Sequence, residues 1–106
     1  MKVKINNQTY TIKEVDDIGL ISNESENIWG QCKYEDCEIL IKKSLNLIRK
    51  KETLYHELTH AFMFEYGLSQ ANLTSEIVCD FIGAFGERMT EIVNKYFDKK
   101  QHTELS

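Results

Sequence analysis

Hydrophobic and polar residues alternate near the N-terminus and recur at helical spacing in the second half of the chain. Two alternating runs flank Asn7-Gln8, a pattern that predicts a β-hairpin with its turn at these residues. In this register Ile5 lies opposite Tyr10, and Val3 lies opposite Ile12. All four apolar side chains then share one face, which we expect to face the core.

A second hairpin is predicted further along, with strands over Ile28–Tyr34 and Cys37–Ile41 and a turn at Glu35-Asp36. Between the two hairpins, the polar segment Asp16–Asn27 predicts a loop. The alternation of isoleucines with Leu40 in the second strand indicates that one face of this hairpin belongs to the core.

The first predicted helix spans about Lys51 to Tyr66, and Gly67 is its expected C-terminal stop. Five of its residues follow the spacing of an α-helix: they are Leu54, Leu58, Ala61, Phe62 and Glu65.

The second predicted helix begins after an N-cap at Asn72 or Thr74 and extends to about Phe97. Gly83 is expected to let this helix approach the first one closely, and the tail 98–106 is expected to fray. The apolar residues of this helix recur at helical spacing: they are Ile77, Phe81, Phe85, Met89, Ile92, Val93 and Tyr96.

The length indicates one domain over residues 1–106, because a second core would not fit in so short a chain. The predicted strands and helices make this domain α+β. We expect a small sheet of hairpins to pack on the two long helices. The formal charge of −4 argues against a nucleic-acid partner. The sequence has no apolar run of about 18 residues, so no membrane span is predicted. The start of the chain lacks the apolar core of a secretion signal. With an odd count of three cysteines, these features predict a reducing cytoplasm.

The candidate chemistry lies in the first helix, where His56 and His60 enclose Glu57 in the pattern H-E-x-x-H. Side chains four residues apart lie on the same helix face, so two imidazoles can bind one Zn²⁺. Glu57 is then placed beside the metal as a general base for water. Two histidines at this spacing also occur by chance on ordinary helices, and in that interpretation they bind nothing.

A catalytic zinc site normally has a third protein ligand. A third histidine on the same helix is excluded, because Met63 and Tyr66 stand where the longer H-E-x-x-H-x-x-G-x-x-H pattern needs Gly and His. Glu76 and Asp80, one turn apart on the next helix, offer carboxylates instead. We expect Glu76 to bind the metal and Asp80 to accept a hydrogen bond from a ligand histidine. In the alternative interpretation, Glu76 is a first-turn glutamate that interacts favourably with the helix N-terminus, and Asp80 is an ordinary surface carboxylate.

These residues resemble the gluzincin pattern of two histidines and a downstream glutamate, and the stretch Thr53–Ala61 is similar to the ImmA/IrrE-like metallopeptidases. Within that family the chain looks most like the small single-domain members of phages and prophages, and the resemblance covers about residues 28–86. The resemblance implies a minimal zincin-like fold and a zinc-dependent protease. Its implied substrate is a protein or peptide, such as a regulatory repressor.

The expected reaction is hydrolysis of a peptide bond by water, with Glu57 carrying the proton from water to the leaving amine. No donor for the developing oxyanion is evident from the sequence. Tyr55, Tyr66 and His102 are the available groups, and none of them is favoured.

The substrate is expected to lie as an added strand along an exposed sheet edge. We expect that edge to be the second strand of the second hairpin, comprising Cys37, Glu38, Ile39, Leu40, Ile41 and Lys42. The rival hypothesis is a metal-stabilised binding regulator that keeps the H-E-x-x-H site without hydrolysis. The missing oxyanion donor favours this rival, whereas the intact Glu57 argues against it.

Overall fold

Four strands and two helices make up the part of the chain that the computed structural model describes, which is residues 1–16, 29–68 and 74–105. The predicted loop beyond Asp16 and the alternative N-cap Asn72 fall in the gaps between these ranges, outside the described residues. Side chains are described up to Asp98. The elements are, in order, β1 (Lys2–Ile5), β2 (Gln8–Val15), β3 (Gly30–Lys33), β4 (Glu38–Lys42), α1 (Leu47–Glu65) and α2 (Ser75–Leu105). The predicted α+β class is confirmed. Among the described residues, no helix has the length and apolar character needed to cross a membrane.

The first hairpin keeps the predicted core face but not the predicted register. Val3 pairs with Tyr10, and Ile5 pairs with Gln8, so the turn is at Asn6-Asn7. Asn6 adopts φ 55°, a conformation that asparagine tolerates in tight turns. The shift moves the pairing by an even number of residues, so the side-chain faces are unchanged. Four apolar side chains are therefore buried as expected: Val3, Ile5, Tyr10 and Ile12.

The sheet is mixed, with strand order β1-β2-β4-β3, and this order corrects the predicted substrate edge. Strand β4 pairs in parallel with β2 and antiparallel with β3, so it has a neighbour on both sides. Its three consecutive residues Ile39, Leu40 and Ile41 are all buried, which is typical of a central strand. The segment predicted as the exposed edge is therefore not an edge, since Cys37 lies in the turn before β4. The other predicted residues form the central strand itself: Glu38, Ile39, Leu40, Ile41 and Lys42.

The second hairpin is confirmed, and its first strand is the edge of the sheet next to α1. The turn between β3 and β4 covers residues 34–37, and Cys37 adopts φ 52° within it. The Cys37 N–H donates to the Tyr34 carbonyl at 3.3 Å, which closes the turn. Beyond the other end of β3, the Lys42 N–H donates to the Trp29 carbonyl.

Helix α1 begins earlier than predicted, because Asn46 caps it. The Asn46 Oδ1 accepts a hydrogen bond from the Arg49 N–H at 2.9 Å, which satisfies a backbone donor of the first turn. At the other end, Gly67 adopts φ 76° and confirms the predicted stop. The Leu68 N–H donates to the Met63 carbonyl at 2.7 Å, as in a Schellman motif.

Helix α2 is capped by Thr74, whose hydroxyl accepts a hydrogen bond from the Ile77 N–H at 3.2 Å. The helix runs past the predicted end near Phe97 to Leu105, and the side chains of the predicted frayed tail lie outside the described residues. Its buried face is the predicted apolar one, from Phe81 to Phe97.

Gly83 does not serve the predicted close approach between the helices. A Cβ built on Gly83 meets no atom within 4 Å, so the residue faces open space. The helix packs on α1 through its aromatic residues instead, with the ring centroids of Phe85 and Phe62 5.4 Å apart.

A buried ionic contact joins the sheet to both helices. Glu14 of β2 accepts a hydrogen bond from the Tyr96 hydroxyl of α2 at 2.9 Å and pairs with the Lys50 Nζ of α1 at 2.8 Å. Because both members of the ion pair are largely shielded from water, the contact holds the three elements in one relative position.

Candidate functional site

His56 and His60 present their ring nitrogens to one point on the α1 surface. Their Nε2 atoms are 3.2 Å apart, and both side chains are exposed. Two nitrogens that bind one tetrahedral zinc at about 2.0–2.1 Å are about 3.3 Å apart, so the observed spacing fits a shared ion. The same distance also fits one hydrogen bond between a protonated and an unprotonated Nε2. The two histidines are therefore suited to hold one metal ion.

Glu57 lies beside the histidines but points into the structure. Glu57 is only 7% exposed to solvent. Among the described residues, Thr53 is the other buried polar residue. No described side chain or backbone group forms a hydrogen bond with the Glu57 carboxylate. Burial raises the pKa of Glu57, and the charge of His56 partly offsets this shift. A carboxylate in such a position is more typical of a functional site than of a structural one.

Strand β3 reaches this site because residue 30 is a glycine. A Cβ on Gly30 would lie 2.5 Å from the Thr53 Cγ2 and 3.1 Å from both the Cγ and Oε2 atoms of Glu57. No ordinary side chain fits in this space, so the edge strand contacts the helix through its backbone. The contact covers Glu57, which also lines a pocket between the strand and the helix.

An open pocket of about 360 Å³ lies between β3 and α1. The first side of the pocket comes from the edge strand and the turn that follows it, and the second comes from H-E-x-x-H. The lining residues are Gly30, Gln31, Cys32, Tyr34, His56, Glu57 and His60. The pocket thus joins all three residues of the predicted motif to a sheet edge that no described strand pairs with.

Partial desolvation has opposite effects on the pKa values of the exposed His60 and the partly buried Cys32. Desolvation, followed by the charge of His56, lowers the pKa of His60, so its imidazole is neutral near pH 7, as metal binding requires. Desolvation, together with the charge of Glu57, raises the pKa of Cys32 to about 12, so its thiol stays protonated. All three cysteines are free; Cys32 and Cys37 are partly buried, and Cys79 is exposed.

The predicted carboxylates of α2 do not line this pocket. Glu76 and Asp80 are both exposed, and among the described residues no group of three or more His, Cys, Asp or Glu is placed to hold a metal. Helical phase explains their position, because each residue turns the helix by about 100°. Glu76 is therefore on the face opposite Phe85, which packs on α1. Glu76 as third ligand and Asp80 as its neighbour stay predictions.

The predicted oxyanion donors are also elsewhere, whereas a tyrosine that the sequence did not single out lines the pocket. The Tyr55 hydroxyl donates to the Thr90 Oγ1 at 3.0 Å, and Tyr66 packs on Phe85 with ring centroids 4.6 Å apart. The side chain of His102 lies outside the described residues. Tyr34, in the turn after β3, faces the pocket instead. Its position depends on a sheet edge that only the strand order reveals.

Comparison of the chain with models of known families, with curated proteins and with solved structures finds no match. The assignment of a function therefore depends on the motif and on the geometry of this pocket.

The contact at Gly30 generates a stability prediction with a built-in rescue. Gly30→Ala should lower the free energy of unfolding by about 1–3 kcal/mol, because the new methyl group overpacks against Thr53. Adding Thr53→Ser removes the Cγ2 atom and should recover part of this loss relative to Thr53→Ser alone. Urea denaturation of the four proteins measures the coupling.

Gly83→Ala is the matched control, because its methyl group enters open space and alanine favours a helix by up to about 1 kcal/mol. If Gly30→Ala is as stable as the unchanged chain, strand β3 does not need a glycine at this contact.

Proposed function

We propose that this chain is a zinc-dependent peptidase that hydrolyses a peptide bond in a regulatory protein, in the manner of a minimal zincin. One observation carries the proposal: the Nε2 atoms of His56 and His60 converge to 3.2 Å beside the buried Glu57, in a pocket that opens on a sheet edge. The resemblance of the motif to ImmA/IrrE-like metallopeptidases supports the class of substrate, including a phage or prophage repressor.

His56 and His60 would hold the metal, since both are exposed and their spacing fits one ion. A bound zinc ion supplies Lewis acidity, which polarises the peptide carbonyl and lowers the pKa of water. No described residue forms a hydrogen bond with the Glu57 carboxylate, so this carboxylate is available to accept a proton from water.

Glu57 is proposed as the general base. Its carboxylate takes one proton from the attacking water as the water oxygen bonds to the carbonyl carbon. It then returns that proton to the nitrogen as the C–N bond breaks. A buried carboxylate with a raised pKa suits this task, because it accepts a proton more readily than an exposed one.

Strand β3 is proposed as the docking edge for the substrate. In its antiparallel pairing with β4, Trp29 forms a ladder hydrogen bond with Lys42, so the hydrogen-bonding positions alternate from there. Gly30 and Cys32 therefore direct their backbone N–H and C=O groups away from β4, toward the open edge. Both residues line the pocket, so an extended peptide paired with them would pass directly over Glu57.

Glu76 is retained as the proposed third ligand, with Asp80 beside it. Because Glu76 is exposed on the outer face of α2, ligation would require the first turn of that helix to reorient toward α1. Metal binding would then be coupled to a local ordering of the chain.

A non-catalytic, metal-stabilised regulator that binds another protein is the second candidate function. It is favoured by the exposed position of Glu76, since no third ligand is assembled among the described residues. The two candidates differ in their need for Glu57, because a peptidase requires a general base and a binding protein does not.

Glu57→Gln should keep the fold and the zinc but lower hydrolysis by about 10²–10⁴-fold. The unchanged chain and the variant are each loaded with zinc and incubated with an extract of cells that lack the gene. New protein N-termini are then counted by mass spectrometry. New termini with the unchanged chain alone support the peptidase. Equal cleavage by both proteins would exclude Glu57 as the base, and no cleavage by either would favour the binding regulator.

Glu76→Gln should weaken zinc retention sharply, because an amide is a poorer zinc ligand than a carboxylate. Asp80→Ala should weaken it less, by about 10–100-fold. Glu91→Gln is the matched control, since Glu91 is an exposed glutamate further along the same helix. Zinc affinity is measured by competition with a chromophoric chelator. Slower hydrogen exchange in the first turn of α2 after zinc is added would report the reorientation directly. Equal zinc affinity in Glu76→Gln and Glu91→Gln would rule out Glu76 as a ligand.

Substrate docking on β3 should show a period of two along the substrate. Methylation of a single backbone nitrogen removes one donor, so losses should fall on alternate residues of a cleaved peptide, those opposite Gly30 and Cys32. The peptide is taken from a cleavage site found with the unchanged chain, and kcat/KM is measured for each methylated form. Uniform tolerance of methylation would contradict docking by strand addition.

A further inference from the structure

Tyr34 stands at the end of the pocket where β3 passes into its turn. It lines the same space as His56, Glu57 and His60, and it is the tyrosine among the described pocket residues. Because Gly30 and Cys32 line the pocket from the preceding strand, a peptide lying along β3 toward this turn would meet the Tyr34 side chain next.

Both the ring and the backbone of Tyr34 are held in place. The ring stacks on Phe64, with centroids 4.3 Å apart and planes inclined by 21°. Phe64 is one turn beyond His60 on α1, so the stack fixes the phenol relative to the histidines. The Tyr34 carbonyl accepts hydrogen bonds from the Cys37 N–H at 3.3 Å and from the Cys37 thiol at 3.6 Å.

The hydroxyl of Tyr34 is free to act as a donor. Within the described residues it has no hydrogen-bond partner, unlike the hydroxyl of Tyr55, which is engaged by Thr90. Burial raises the pKa of Tyr34, and electrostatic interactions with Cys32 and Glu57 add to the shift. The phenol therefore keeps its proton at neutral pH. A fixed, protonated donor facing a reaction pocket is the feature that stabilises developing negative charge.

We infer that Tyr34 is a catalytic residue, whose hydroxyl donates a hydrogen bond to the carbonyl oxygen of the peptide bond being cleaved. The inference rests on the proposed peptidase function and supplies an oxyanion donor, a role for which the sequence favoured none of its candidates. As the water oxygen bonds to the carbonyl carbon, that carbonyl oxygen gains negative charge and the hydrogen bond strengthens. Tyr34 keeps its proton throughout, since Glu57 carries the proton from water to the leaving nitrogen.

Tyr34→Phe removes the hydroxyl and leaves the ring that stacks on Phe64. We expect kcat to fall by about 10²–10³-fold while KM stays close to that of the unchanged chain, because the lost hydrogen bond is made mainly in the transition state. The substrate is a peptide spanning a cleavage site found with the unchanged chain. Zinc content and the urea unfolding curve should not change.

Binding of a phosphinic analogue of the same peptide provides a readout that needs no turnover. The tetrahedral phosphinate resembles the reacting carbonyl after water has added, so it should bind Tyr34→Phe more weakly than the unchanged chain. The uncleaved amide peptide, measured with Glu57→Gln and Glu57→Gln/Tyr34→Phe, should bind both proteins equally. Isothermal titration calorimetry gives both affinities.

Tyr66→Phe is the matched control. Tyr66 is an exposed tyrosine at the end of α1, two residues after Phe64, and it is not among the described residues that line the pocket. It should leave kcat and phosphinate binding unchanged. If Tyr34→Phe matches Tyr66→Phe in both measurements, Tyr34 is not the donor even though the chain is a peptidase. If the unchanged chain cleaves nothing, the proposed function fails and the role of Tyr34 fails with it.

Discussion

The contact between the backbone of β3 and the side chains of α1 at Gly30 is the constraint on which the site depends. Because a Cβ there would lie 2.5 Å from Thr53, the strand can approach the helix only without a side chain. That approach shields Glu57 from water, and it brings the open edge of the sheet to His56 and His60. A larger separation would leave H-E-x-x-H on an exposed helix, where the glutamate would be an ordinary surface carboxylate.

The features that depend on local periodicity were predictable from the sequence. The faces of the strands follow from alternation, and the end of α1 follows from Gly67, whose φ of 76° other residues rarely adopt. The spacing of His56 and His60 predicted that their rings would meet, and their Nε2 atoms do converge. Even the incorrect register of the first hairpin preserved its buried face, because the shift was an even number of residues.

The features that depend on long-range pairing were not predictable in the same way. The parallel pairing of β2 with β4 places β4 inside the sheet, and the only local sign of it is the uninterrupted run Ile39-Leu40-Ile41. Without the strand order, neither the edge position of β3 nor the position of Tyr34 in the pocket could be derived. The outward position of Glu76 did have a local sign, since the apolar stripe through Phe81 and Phe85 already sets which face of α2 is buried.

The seven described residues that line the pocket fall between Gly30 and His60, within one hairpin and the helix that directly follows it. Gly30 and Glu57 are 27 residues apart along the chain, the same separation as between the paired residues of β2 and β4, so loop closure costs both contacts a similar entropy. The first hairpin and α2 supply none of these described lining residues, so they act on the pocket through the packing that holds β4 and α1 in place. Sequence drift in these outer elements would then change how long the protein survives in the cell more than what it does.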